Sequence, residues 1–103
     1  MLTLPIKKKW FDMIKSGEKK EEYREIKPYY TSRFGFEDEI EKGKHFVTYS
    51  VTRDVILRNG YSKTSPSIKC RVTITKGYGE EEWGAEPNKL YYVLEILSVE
   101  EIN

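Results

Sequence analysis

Between Ser67 and Thr75 the chain alternates without a fault: Ile68, Cys70, Val72 and Ile74 fall on one side, Lys69, Arg71, Thr73 and Thr75 on the other. Successive side chains of a pleated strand point to opposite faces, so this stretch reads as a strand with one face in a core and the other in water. A half-wet strand belongs to an antiparallel sheet, and it cannot bury its apolar face alone. The remainder of the 103 residues must supply the partners. Cores of roughly 100–150 residues are the commonest size, so residues 1–103 are expected to form one domain.

Those partners can be picked out by period and punctuation. Leu2 and Leu4 alternate with Thr3 as a short strand closed by Pro5. Ile6, Trp10, Met13 and Ile14 then recur at helical spacing, and Ser16-Gly17 supplies a C-terminal stop. Lys19 to Ile26 is charged on both faces and extended, and Pro28 to Phe36 reads as a turn with a short helix. Glu37 to Lys44 reads as an acidic, exposed connection broken by Gly43. Phe46, Val47, Tyr49 and Val51 form one strand pattern, Asp54 to Leu57 another, and Asn59-Gly60 a turn. A Gly- and Glu-rich loop, Tyr78 to Asn88, carries Trp83 ahead of a last strand, Leu90 to Val99. Six short strands, one main N-terminal helix and a short second helix predict a small, curved α+β barrel.

Composition narrows the chemistry. Aromatic residues make up 14% of the chain, enough large apolar area for a small core in a chain that is 34% charged. A lone cysteine, Cys70, excludes an intramolecular disulfide, and with the lone His45 it leaves no transition-metal cluster. No phosphate-cradling Gly loop, nucleophile elbow or calcium loop occurs, and Gly77-Tyr78-Gly79 is too short for a dinucleotide fingerprint. No cofactor and no metal are expected. Apolar runs are far shorter than the ~20 residues of a membrane helix, and the N-terminus lacks signal-peptide order. The expectation is a cytoplasmic monomer in a reducing compartment, away from membranes. Net charge is only +1, yet residues 46–78 are strongly basic and residues 79–103 strongly acidic. A local basic groove facing an anion is therefore compatible with a balanced total.

The most informative motif is Gly17-Glu18-Lys19-Lys20-Glu21-Glu22-Tyr23-Arg24, spaced G-x-K-x-x-E-x-R directly after the helix. Glu22 and Arg24, two apart, share one face of an extended chain, and Lys19 sits at that strand's mouth. A cation, a carboxylate and a guanidinium should therefore converge beside the helix C-terminus. The bland reading of Glu22 and Arg24 is a structural ion pair in a Lys/Glu-rich chain. Lys7-Lys8-Lys9 reads first as a solvated helix face, and His45 as a surface residue at a strand start.

This spacing resembles the signature of the ASCH domain family, and Arg58-Asn59-Gly60-Tyr61 and Glu82-Trp83-Gly84 are similar to small bacterial and phage members. The resemblance spans the chain and implies a barrel related to the PUA fold, with the signature lining a cleft for single-stranded RNA or a nucleoside or nucleotide. In such a cleft Lys19 and Arg24 would neutralise phosphate or hydrogen-bond a base, and Glu22 would orient Arg24 or accept from a base amino group. Arg58, Tyr61 and Trp83 complete the candidate ligand-binding set, the two rings as stacking platforms or as packing beneath a turn and at a barrel end.

An enzyme is the second class. One branch of the family is an N(4)-acetylcytidine amidohydrolase that uses the signature lysine, a threonine at the signature's third position and a downstream glutamate. Lys19 matches the lysine, but Glu22 replaces the threonine. Catalysis would then fall to Glu22 as general base with Lys19 stabilising an oxyanion. The downstream glutamate is open between Glu80, Glu81, Glu82 and Glu86. A small ribonuclease would have to use Lys19 and a tyrosine.

Overall fold

The computed structural model describes residues 1–36, 39–41, 44–46 and 50–103, with residues 39–41 and 44–46 described by backbone alone. The alternating segment is the middle of the molecule: β6 (Ser67–Tyr78) pairs antiparallel with β5 (Val51–Arg58) on one side and β7 (Leu90–Glu101) on the other. Ile68, Cys70, Val72 and Ile74 are all fully buried. β1 (Leu2–Pro5) joins β5 in parallel, and β2 (Glu21–Glu25) joins β7 antiparallel, giving the order β1-β5-β6-β7-β2. The result is a curled five-stranded half-barrel in an α+β chain with two helices.

The curl has a visible cause. Arg71 faces Ser98 while Val72 faces Ile96, so Leu97 is left over as a bulge in the middle of the two longest strands. An extra residue bends its strand and increases the local twist. Leu97 accordingly points largely into solvent.

Helix α1 (Lys8–Ser16) ends at Gly17, whose φ of +87° is left-handed backbone that other residues adopt only with strain. Its buried side chains are Phe11 and Ile14, whereas Trp10 and Met13 are half-buried. The helical spacing identified the right element and the buried Ile6 and Ile14 but omitted Phe11, which lies deeper than Trp10 and Met13. Helix α2 (Pro28–Phe34) opens on a proline at its first turn, where the missing N–H costs nothing, and buries Phe34. Phe34 and Phe36 pack at 5.3 and 5.0 Å from the ring of Tyr92, which is fully buried with its hydroxyl 2.5 Å from Thr31 Oγ1.

Two expectations need correction. Asp54 to Leu57 is not a separate strand, because Val51 to Arg58 runs unbroken. Of the two charges that interrupt its apolar pattern, Asp54 sits opposite Arg71 with its carboxylate 3.3 Å from that guanidinium, and Arg53 donates to the Arg33 carbonyl. The acidic connection contains its own ladder, β3 (Glu39–Glu41) against β4 (Lys44–Phe46), with His45 opposite Ile40. Gly43, Val47 and Tyr49 lie outside the described residues. Among the described residues no helix is long and apolar enough to cross a membrane.

β7 reads Tyr91-Tyr92-Val93-Leu94 because both of its faces are covered there. Tyr92 and Leu94 enter the main core, while Tyr91 and Val93 pack with Ala85 and Tyr23 beneath the loop that follows β6. Leu57, fully buried on β5, reports on the main core. Leu57→Ala is expected to lose about 2–5 kcal/mol, the usual cost of a truncated core leucine. Urea denaturation checks it, and a loss under about 1 kcal/mol would show that this side of the sheet is not tightly packed.

Candidate ligand cleft

Lys19, Glu22 and Arg24 converge, but at different depths. After the left-handed turn at Gly17 the Lys19 N–H donates to the Met13 carbonyl at 2.9 Å, which brings Lys19 under the helix end. Its side chain is 1% exposed, and its ammonium lies 3.3 Å from Glu22 Oε1. The same ammonium donates to the Trp83 carbonyl and stands 4.5 Å from the Trp10 ring and 5.0 Å from that of Tyr23. Glu22 Oε2 accepts from Arg24 Nη2 at 2.8 Å. One carboxylate thus bridges two cations, each bonded to a further backbone carbonyl.

Arg24 makes the second of those bonds to the Pro5 carbonyl, 2.8 Å from Nη2. That contact ties β2 to β1, the two ends of the sheet. Arg24 Nη1 reaches Tyr30 Oη at 3.4 Å, and Nε is the one buried side-chain polar atom without a partner among the described residues. A buried donor left unpaired costs about 1–3 kcal/mol, so its retention calls for an explanation.

Glu22 and Arg24 line a concave cleft of about 490 Å3, together with Trp10, Tyr30, Trp83 and Tyr91. Small-molecule sites span roughly 300–1,000 Å3. Lys7, Lys27 and Lys89 stand on its wall with Glu25 and Glu86. Lys89 is engaged by Glu86 at 3.1 Å and Glu25 at 3.9 Å, whereas Lys7 and Lys27 make no ion pair with a described residue. Lys19 is buried and is not among the residues that line this cleft.

Trp83 lies in a single 3-10 turn, Glu81–Trp83, that closes over Lys19, and Gly84 follows at φ +103° against Trp10. A Cβ at Gly84 would come within 2.9 Å of the indole, so the Trp83-Gly84 pair seats Trp10 as well as positioning the carbonyl. Of the four glutamates left open, Glu86 lines the cleft and Glu80, Glu81 and Glu82 are exposed outside it.

Arg58 and Tyr61 are not in this cleft. Arg58 Nε donates to Ser67 Oγ at 2.9 Å, and Tyr61 borders a neighbouring depression. The basic segment 46–78 also fails to form a groove here: Lys69 and Arg71 turn to Asp54, and Arg53 donates to the Arg33 carbonyl. The cations of the cleft come from the first thirty residues and from Lys89. Sequence reasoning missed Trp10 and Tyr30 as wall residues. Trp10 carried a helical-face signal that reads equally as core, and Tyr30 carried none.

Burial raises the Cys70 thiol to about 12, leaving it inert at neutral pH. Among the described residues no cluster of His, Cys, Asp and Glu could hold a metal. Compared with known protein families, curated proteins and solved structures, the chain matches none.

Burial pulls the Lys19 ammonium below the ordinary lysine value of 10.5, outweighing the opposing pull of Glu22. The unfolded chain then binds the Lys19 proton more tightly than the folded one, so this group adds stability as pH rises from its folded value towards 10.5. Relative to Lys19→Met, the wild type is expected to gain stability across that alkaline window. Denaturant titrations at a series of pH values test it, and a flat or falling difference would contradict it.

Proposed function

We propose that the cleft binds an unpaired nucleotide, free or within single-stranded RNA, and that Arg24 and Glu22 are its polar recognition elements. The observation that carries this reading is a rigid guanidinium–carboxylate pair set among the rings of Trp10, Tyr30 and Trp83 in one concavity. Rings in a cleft offer stacking surfaces that every base can use, at ~1–3 kcal/mol per base. A fixed guanidinium presents donors to base or phosphate acceptors, and each Glu22 oxygen keeps a lone pair for a base amino group. Lys7 and Lys27, free of ion pairs with described residues, supply positive charge at the rim. The G-x-K-x-x-E-x-R spacing shared with the ASCH family supports the same reading.

Two tryptophans in the wall make binding readable by intrinsic fluorescence. Titration with the four ribonucleoside 5′-monophosphates and with short single-stranded RNA is expected to quench emission for at least one of them. Arg24→Lys keeps the charge but loses the planar fork, and should weaken that binding about tenfold or more. Absence of any response at millimolar nucleotide and micromolar RNA would remove the reading.

A second reading, hydrolysis of a modified nucleoside, draws on the lowered Lys19 ammonium lying beside Glu22. Against it, Lys19 is enclosed by Trp10, Tyr23 and the Trp83 carbonyl, which leaves Glu22 alone to activate water. The ribonuclease scheme likewise loses its base. Incubation with N(4)-acetylcytidine is expected to return it intact by chromatography. Turnover that disappears in Glu22→Gln would replace recognition with catalysis as the function.

A further inference from the structure

Beside the cleft lies a second depression of about 420 Å3, lined by Pro5, Ile6, Lys7, Asn59, Gly60 and Tyr61. Pro5, Ile6 and Lys7 also line the cleft, so the two hollows share one wall. That wall is firmly built: the Ile6 N–H donates to the Arg58 carbonyl at 3.0 Å, and Asn59 Nδ2 donates to the Ile6 carbonyl at 3.0 Å.

At the far end stands Tyr61, 95% exposed. A large ring that buries nothing of itself contributes little to the monomer's stability. Its loop is nevertheless braced, with the Ser62 N–H on Ser65 Oγ at 3.1 Å, the Ser65 N–H on the Ser62 carbonyl at 3.0 Å and Ser67 Oγ on the Ser65 carbonyl at 2.9 Å. The ring is held out by a loop bonded to itself. Lys7 lines both this depression and the cleft, no acidic residue among the described ones lines the second depression, and Lys63 is exposed close by in sequence.

We infer that the ligand is a single-stranded oligoribonucleotide rather than a free mononucleotide, with one base in the cleft, the connecting phosphate at Lys7 and the adjoining base stacked on Tyr61. The inference rests on the reading of the cleft as a nucleotide site and adds a second base and the phosphate between the two. A ring, a cation and an aromatic cleft in succession match the base–phosphate–base repeat of an unpaired strand, in which stacking surfaces and charge alternate. A free nucleotide would leave Tyr61 with no role.

The test compares a ribonucleoside 5′-monophosphate with the corresponding di- and tetranucleotide, all followed by tryptophan fluorescence. The dinucleotide is expected to bind about 5- to 150-fold more tightly than the monophosphate, the range of one added stacked base. Tyr61→Ala should erase most of that advantage and Tyr61→Phe should restore it, because the ring stacks with or without its hydroxyl. Lys7→Met should reduce the salt slope for the dinucleotide by about 0.7, one phosphate contact on a single strand. Equal affinity for the monophosphate and the oligomers, or a dinucleotide advantage that survives Tyr61→Ala, overturns the inference while leaving the cleft reading in place. Failure of every nucleotide to bind overturns both.

Discussion

The Glu22 carboxylate is the interaction on which the rest of the molecule depends. It lies 3.3 Å from the Lys19 ammonium and 2.8 Å from the Arg24 guanidinium, with all three side chains largely out of water. Removing charges from water is expensive, and a buried pair repays that cost only when its geometry is good and the leftover donors find acceptors. Here Lys19 finds the Trp83 carbonyl and Arg24 the Pro5 carbonyl. The ions therefore do more than neutralise one another: they tether β1, β2 and the loop after β6 to a common point.

That tether explains why a half-barrel can hold a cleft. The sheet runs from β1 to β2 without a hydrogen-bonded ladder between those two strands, so the seam between them is open backbone. Arg24 spans the seam by side chain instead of by strand pairing, which leaves room between Trp10, Tyr30 and Trp83 that a continuous sheet would have filled. Deleting one partner of such a cluster strands the others in a low-dielectric interior, at about 3–5 kcal/mol for a buried pair. Cleft wall and seam closure share the same side chains, and substitutions at Glu22 or Arg24 act on both.

Charge in this chain is distributed by fold and not by segment. The basic stretch from 46 to 78 spends Lys69 and Arg71 on Asp54, and Arg53 and Arg58 on a carbonyl and a hydroxyl. The cleft draws on Lys7, Lys27 and Lys89, which lie far apart along the chain. A linear sum of charges cannot anticipate that, because the cleft gathers residues next to β1 and β2, the opposite ends of the sheet, and next to β7, which pairs with β2 though far from it in sequence.

The sequence by itself determined the features that are local. The unbroken alternation of Ile68, Cys70, Val72 and Ile74 made β6 a one-sided strand, Gly17 ended α1 in left-handed backbone, and the two-residue spacing of Glu22 and Arg24 put them on one face. Each follows from backbone periods and steric limits that act within a few residues. Only the tertiary structure decided that Lys19 would be buried against Glu22, that Trp10 would border a cleft as well as pack against the core, and that Asp54 would sit mid-strand opposite Arg71. Those outcomes depend on which surfaces meet across the sheet and on where the Leu97 bulge bends it, and no short window of residues contains both sides of such a contact.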